Sequence, residues 1–456
     1  MSNIKVKTLG AVLSALAIVN GPARAEQAPP LPGEGSLFRE VLGNTLQADY
    51  GITVSGLIDM AYSRNNRSTH QEREHGLSNL PLNGMSDEGL ELGSLHLFID
   101  KPLVSDMIPR VTPLPGPQPQ DASFGFTFET FYGRNAQFGR TFGWDTHWHV
   151  NQPGDNDPAK AQRDKQKFLA LPNLAALAYL PYGTGLNVMA GMFGPAMGYE
   201  IPPNLRAARN PFASKTYAFV TEPGTVAGVQ VGTRLMNTAH GILGVEAGLV
   251  QGWNNLQDNN DSHSLIGAIR WRTPDMRTWV DYEFMVGNEQ NRDFGDVQAP
   301  VSRLVSPHGQ LKQQHSLNGW HQFDQRWSMG AELVYGRQAG DGQADTVDII
   351  NGPGFDGAHW WGANAVLTYQ ARPDLSFSVR GEHFADPDGF VLLPVTTASG
   401  RFNALTTGFR YDLNRNVSLR PELRYDWFDG QRGDKPFGNG RDTTQLTALV
   451  EALIYF

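Results

Sequence analysis

Residues 417–427 read VSLRPELRYDW, and this stretch decides the fold. Its odd positions are Val417, Leu419, Pro421, Leu423, Tyr425 and Trp427; its even positions are Ser418, Arg420, Glu422, Arg424 and Asp426. One face is apolar and the other almost fully charged. A period of two is that of a β-strand, whose successive side chains point to opposite faces.

The same period recurs outward along the chain. Residues 375–384 set Leu375, Phe377 and Val379 against Arg380 and Glu382. Residues 278–286 set Val280, Tyr282, Phe284 and Val286 against Asp281 and Glu283. Residues 443–456 set Leu446, Ala448, Val450, Ile454 and Phe456 against Gln445, Thr447 and Glu451. Counting such segments predicts about sixteen strands, at 53–62, 92–100, 123–132, 173–180, 185–193, 225–235, 241–253, 263–271, 278–286, 311–321, 326–335, 360–370, 375–384, 403–413, 417–427 and 443–456. From the fourth strand on, every second link is a tight turn (181–184, 236–240, 272–277, 322–325, 371–374, 414–416), rich in Pro, Asp and Asn. The other links are longer, up to 133–172. Short turns at one rim and long loops at the other predict an all-β chain: a transmembrane antiparallel β-barrel with short periplasmic turns and long extracellular loops. A soluble sandwich has no reason to sort its links this way.

The beginning of the chain carries its own signals. Lys5 and Lys7 precede an apolar run at 9–19, and Ala23-Arg24-Ala25 is a small-x-small site. Residues 1–25 therefore read as a secretory signal peptide, with the mature chain starting at Glu26 in the outer membrane of a Gram-negative bacterium. Residues 26–35 read as a tether. Residues 36–47 carry Leu37, Phe38, Val41, Leu42 and Leu46 at helical spacing behind Ser36 as N-cap. The barrel is expected over 51–456.

Composition excludes several classes of function. The 456 residues contain no cysteine, so disulfide scaffolds, thiol nucleophiles, Cys-ligated zinc and iron–sulfur clusters are out. Only 18% are charged, unlike a disordered chain or coiled coil. The formal charge of −9 argues against nucleic acid as a partner. Removing Lys5, Lys7 and Arg24 leaves 34 basic residues (37 less 3) against 46 acidic ones, a mature charge of −12.

Aromatics mark the strand ends, as rings with a polar edge do where hydrocarbon meets headgroups. Trp271 and Trp279 flank one tight turn and Trp320 and Trp327 another; Trp253, Tyr335, Trp361 and Trp427 fall near long-loop ends. The chain ends on Phe456. A terminal aromatic after an alternating strand is similar to the signal by which outer-membrane proteins reach the barrel-assembly machinery.

Sixteen strands enclose an aqueous channel, whereas eight are filled by their own side chains. The expected function is passive diffusion of small polar solutes, with outer-membrane lipid around the barrel. The pore-lining candidates are Arg234, Arg380, Arg410, Arg420 and Arg424 against Glu246, Asp281, Glu283, Glu332, Glu382, Asp412, Glu422 and Asp426. Opposed basic and acidic walls would create a transverse field; alternatively neighbours such as Arg420 and Glu422 pair along the wall. The link 133–172 carries Trp144, His147, Trp148 and His149 and is expected to fold into the lumen as a constriction. Monomer and trimer both fit the pattern. No cofactor or metal is expected.

Certain stretches resemble those of the OmpL-like β-barrel porins of Gram-negative bacteria. They are Tyr217-Ala218-Phe219 with Thr221-Glu222-Pro223, Gly248 to Asn255 with Asp258-Asn259-Asn260, Gly287-Asn288-Glu289-Gln290, and Arg420 to Trp427. The resemblance runs from about Gly51 to Phe456. It implies a barrel with pore activity and carries no catalytic residues. Other chemistry is weaker. Asp145 with His147 and His149 offers metal-ligand spacing, and the 258–261 tip offers hard oxygen ligands. His263-Ser264 and His315-Ser316 raise the alternative of a hydrolase barrel, beside that of an adhesin-like one.

Overall fold

The computed structural model describes residues 45–67, 88–148, 168–195, 197–200, 210–258, 260–289, 310–340, 357–392, 398–430, 433–438 and 440–456. The signal-peptide and tether readings lie outside these residues, as does His149. Of the helix expected at 36–47, only the end is described, where a short helix runs over Thr45–Tyr50.

The strands are β1 (Thr53–Asn65), β2 (Glu88–Lys101), β3 (Met107–Ile108), β4 (Thr112–Pro113), β5 (Ser123–Gly133), β6 (Phe168–Leu180), β7 (Leu186–Phe193), β8 (Val226–Thr238), β9 (Gly241–Val250), β10 (Ser264–Arg272), β11 (Thr278–Glu289), β12 (Gln310–Gln322), β13 (Trp327–Ala339), β14 (Gly357–Arg372), β15 (Leu375–Asp386), β16 (Gly400–Asn414), β17 (Val417–Gly430) and β18 (Thr444–Tyr455). Sixteen of them pair antiparallel with their neighbours and close into one barrel, β18 meeting β1. The remaining two, β3 and β4, form a small separate hairpin. Each of the sixteen expected segments falls on one barrel strand. Among the described residues, no helix is long and apolar enough to cross a membrane.

The tight links form because their acidic and amide side chains cap the turn. Asp324 Oδ1 accepts the amides of Arg326 (2.7 Å) and Trp327 (2.8 Å), and Asn414 Oδ1 accepts that of Asn416 (2.8 Å). These side chains replace backbone partners and fold the chain back within a few residues.

Alternation fixes what faces out. On β17, Leu423, Tyr425 and Trp427 are exposed while Arg420, Glu422, Arg424 and Asp426 are buried. The outward face is apolar around the ring, including Val229, Leu249, Leu265, Val280, Leu333, Leu367 and Val450. Trp271, Trp327, Tyr335, Trp361 and Trp427 share the outward parity, as a girdle requires. Three expected girdle members do not. Trp279 and Trp320 are cross-strand partners whose parity is that of the inward Asp281 and Asn318. Trp253 lies buried beneath the Lys312 amine, 3.6 Å from its ring centroid.

The seam closes through the last residue. The Gly56 amide donates to the Phe456 carbonyl (2.6 Å) and the Phe456 amide to the Gly56 carbonyl (3.0 Å). The Phe456 ring covers Gly56 so closely that a Cβ there would lie 2.4 Å from ring carbons. Deleting Phe456, or making Gly56→Val, should therefore lower the yield of folded barrel in outer-membrane fractions; unchanged yield of both variants would remove this role. The alternation of links makes a second expectation. Cysteines at Asp374 and Asn416 should resist a membrane-impermeant maleimide on intact cells while one at Gln257 labels, and the opposite pattern would invert the topology.

Candidate channel interior

The inward face of a sixteen-strand barrel encloses more space than its own side chains fill. Among the described residues, two links reach well into this space. The first is 102–122, between β2 and β5. Its β3–β4 hairpin crosses to β8, β9 and β10. Arg234 on β8 donates to the carbonyls of Leu114 (2.6 Å) and Gly116 (2.9 Å) and sits 3.3 Å from Asp106. Arg272 on β10 donates to Thr112 Oγ1 and to the Val111 carbonyl, each at 2.9 Å. At the hairpin turn Arg110 has φ +62°, a conformation rare for a residue with a Cβ. There its amide reaches Glu246 Oε1 at 2.6 Å.

The second is 194–225, between β7 and β8. Its described residues (194–195, 197–200 and 210–225) meet the opposite wall. Gly198 N–H donates to Glu283 (2.8 Å) and Tyr199 N–H to Glu332 (3.3 Å). Gly330 on β13 leaves the room for this, since a Cβ there would lie 2.1 Å from the Tyr199 ring. Farther along, Ala213 N–H donates to Glu422 (2.8 Å), Tyr217 N–H to Glu382 (3.0 Å) and Tyr217 OH to Asp426 (2.9 Å). The Arg110 guanidinium donates to the Gly194 carbonyl, so the two inserts meet.

The wall charges serve these inserts and one another. Arg270 on β10 binds Glu246 (2.8 Å), Asp281 (2.7 Å) and Glu283 (2.6 Å) together, and Arg272 also binds Asp281. Arg380 on β15 binds Glu200 of the second insert (2.6 Å) and lies 3.5 Å from Glu382. Arg424 binds Glu382 (2.6 Å) and Asp426 (2.9 Å), and donates to the Lys215 carbonyl (3.1 Å). Arg410 binds Asp412 at 2.8 Å. Burial of a guanidinium is tolerable only with several acceptors at once, and each of these has them.

All thirteen pore-lining candidates thus carry the inward parity. Two expectations about their arrangement do not hold. Arg420 and Glu422 are not partners. Arg420 binds Glu451 and donates to the Asn210 carbonyl (2.5 Å), while Glu422 accepts insert amides. Nor do separate basic and acidic walls exist among the described residues, since Arg270 sits between carboxylates of β9 and β11. Most of the thirteen are also covered: Arg424 is 0% and Arg380 2% exposed. Sequence reasoning passed over Arg270, Arg272, Asp59 and Lys312, and set Glu451 on the polar face of the last strand without counting it among the pore-lining candidates. Their shared parity with inward neighbours was the available signal.

The described part of the 134–167 link, 134–148, touches the second insert as well as the wall: Thr141 Oγ1 lies 2.8 Å from Thr225 Oγ1, and the Phe138 ring lies 6.5 Å from that of Phe219. Asn135 donates to Asp59 on β1 (2.8 Å), and Phe142 bridges to Asn255 in the next long link but one. Asp145 binds the amides of Thr141 (2.7 Å) and Leu171 (2.9 Å). Burial pushes its carboxyl up to about 6. The Trp144 and Trp148 rings lie 5.9 Å apart, and His147 ends the short turn Asp145–His147. Above the lumen, Trp360, Phe384, Phe402 and Phe428 turn inward at the long-link rim and pack with Phe390, Phe437 and Tyr217. The remaining chemistry separates. His315 faces outward, 2.9 Å from Tyr282 OH, while Ser316 faces inward and donates to Glu332 (2.9 Å). Ser264 donates to Glu289 (2.5 Å), and His263 lies 3.7 Å from Asp258.

The Arg270 knot yields a stability test. Arg270→Met leaves three carboxylates without their shared cation, a loss of about 3–5 kcal/mol for a broken buried pair. The apparent unfolding temperature, read by heat-modifiable gel mobility, should fall clearly. Arg401→Ala removes a solvent-exposed pair with Asp429 and should leave it nearly unchanged.

Comparison with known proteins follows the same geometry. The outer-membrane channel DcaP of Acinetobacter baumannii superposes with a TM-score of 0.50 at 11% identity, over 89% of this chain and 97% of that one. OprB of Pseudomonas putida superposes with a TM-score of 0.50 at 13% identity, over 92% and 97%. At these identities the likeness is one of fold. No curated protein sequence matches the chain. A family model, OmpL-like beta-barrel porin-2, matches residues 51–456. With the match spanning every strand of the barrel, the chain belongs to the OmpL-like beta-barrel porin family.

Proposed function

We propose that this porin is a narrowed diffusion channel of the outer membrane, passing small polar solutes between the inserts and the remaining wall. The observation that carries the reading is the double crossing of the lumen. The 102–122 and 194–225 links meet at Arg110 and Gly194 and cover wall charges that would otherwise face water. An aperture reduced in this way favours small solutes over large ones. The constriction is assigned chiefly to 194–225, which reaches from β7 to β13, β15 and β17. The inward polar face supplies hydrogen-bonding partners to a hydrated solute.

The chain is read as a channel rather than an enzyme. His315 and Ser316 point to opposite faces of β12, so they cannot act on one substrate. Export by the 1–25 signal peptide and recognition of Phe456 by the barrel-assembly machinery complete the proposal.

Planar-bilayer recording tests it. Purified protein should form discrete water-filled channels. Gly330→Val, which drives a side chain into the space of the Tyr199 ring, should change unitary conductance while the barrel still shows heat-modifiable mobility. Excision within 149–167 should change it less. Absence of channels from well-folded protein would overturn the reading, and the reverse order of effects would move the constriction to 134–167.

A further inference from the structure

The first insert leaves a hollow between itself and the wall it springs from. Residues of the 102–122 link and the inward faces of β2, β5, β6 and β7 line a cavity of about 580 Å³. Its floor is apolar, with Leu103, Met107 and Leu114 from the insert, Leu177 from β6 and Met189 from β7. Its polar groups are few: Asp100 near the end of β2, Thr127 on β5, and Ser105 and Arg110 on the insert. A mostly apolar hollow with a few fixed polar groups is the usual form of a small-molecule site.

The polar groups differ in what already engages them. Asp100 and Thr127 are partners in the β2–β5 ladder and line the same hollow, so their side chains stand side by side. Thr127 is only 6% exposed, and its hydroxyl has no hydrogen-bond partner among the described residues. Ser105 is used by the insert itself: it donates to Asn187 Oδ1 (2.6 Å) and accepts the Met107 amide (3.0 Å). Arg110 is fixed from three sides. Its amide donates to Glu246, and its guanidinium donates to the Gly194 carbonyl and lies 5.4 Å from the Phe193 ring centroid. Its φ of +62° runs against ordinary backbone preference, and strained positions of this kind gather at ligand clamps. A guanidinium carries five N–H donors, enough to serve a carbonyl and a carboxylate at once. The hollow is also preformed. The Val104 amide donates to Ser123 Oγ (3.0 Å), and Arg234 holds the carbonyls of Leu114 and Gly116. A ligand entering it therefore meets groups already in place.

We propose that this cavity binds an α-amino acid with an apolar side chain. The ligand carboxylate meets Arg110, its ammonium meets Asp100 and the Thr127 hydroxyl, and its side chain lies on the floor of Met107, Leu177 and Met189. The class follows from the lining. A guanidinium and a carboxylate in one small hollow suit a zwitterion: an anion alone would be opposed by Asp100, and a cation alone by Arg110. A charged side chain would lose its hydration against the apolar floor without a partner there. A ligand without a polar head would leave the Thr127 hydroxyl unmatched. Passage of such a solute through the barrel rests on the channel reading above; its binding does not.

The test uses the full mature chain and L-leucine as the probe. Two readouts run in parallel: the apparent unfolding temperature in lipid vesicles, read by heat-modifiable gel mobility, and unitary current in planar bilayers. Leucine should raise the unfolding temperature with saturation, because a ligand that binds only the folded state stabilises it. It should lower the current over the same concentration range. Leucinamide, which lacks the carboxylate, and isocaproate, which lacks the ammonium, should each need about tenfold more for the same shift, the loss of one charged hydrogen bond. Glutamate should shift nothing. Asp100→Asn should abolish the preference for leucine over isocaproate, a change of ranking that lost stability alone does not produce. Met189→Phe should fill the floor and weaken leucine and isocaproate alike; if that variant does not fold, the ranking in Asp100→Asn decides. Absence of a leucine-dependent shift in well-folded wild-type protein overturns the site, whether or not channels form. So does a ranking unchanged in Asp100→Asn, or leucine binding unaltered in folded Met189→Phe. A saturating shift that follows the predicted ranking, with no channel at any leucine concentration, keeps the site and removes the channel reading instead.

Discussion

Hydrocarbon offers no hydrogen bonds to a peptide group, and everything else in this protein follows from that. A sheet in such a medium must leave no edge. The chain meets the requirement at the seam of β1 and β18, where Phe456 supplies the last pair of backbone bonds to Gly56. Closure then forces the alternation. Each strand must present an apolar side chain to lipid at every second position, and the residues between are left to face inward whatever their polarity.

Closure also creates a second difficulty, inside. Sixteen strands enclose a volume that their own side chains cannot fill, and the inward face is rich in Arg, Asp and Glu. Backbone from two links enters that volume. The hairpin of β3 and β4 and the 194–225 insert present carbonyls to arginines and amides to carboxylates, as at Leu114 with Arg234 and Ala213 with Glu422. These bonds replace hydration. They also explain why charges as covered as Arg380 and Arg424 are tolerated, since each meets several acceptors at once. The barrel wall and the inserts are therefore one electrostatic unit.

Membership of the porin family fits this division of labour. The fold shared with DcaP and OprB at 11% and 13% identity is the closed wall. Alternation alone leaves the content of the lumen open.

How much of this was legible in the sequence depends on the range of the interaction. The strands were legible because a period of two is local: 417–427 shows its two faces without reference to anything else. The tight turns were legible for the same reason, since Asp324 and Asn414 cap backbone only two or three residues away. Parity made the inward placement of Arg234, Arg380 and Arg424 readable, and would have made Trp279, Trp320 and Arg270 readable as well. Pairing was not legible. Arg420 lies beside Glu422 in sequence but binds Glu451, which stands directly opposite it on β18, where facing side chains are closer than successive inward residues of one strand. Nor could the sequence say that 194–225 crosses the lumen, since its anchors are carboxylates on β11, β13, β15 and β17, distant in sequence and brought together only by closure. The sequence by itself determined a barrel wall of sixteen strands, through contacts between near neighbours. The tertiary structure decided what fills it, because that depends on which residues meet across the ring.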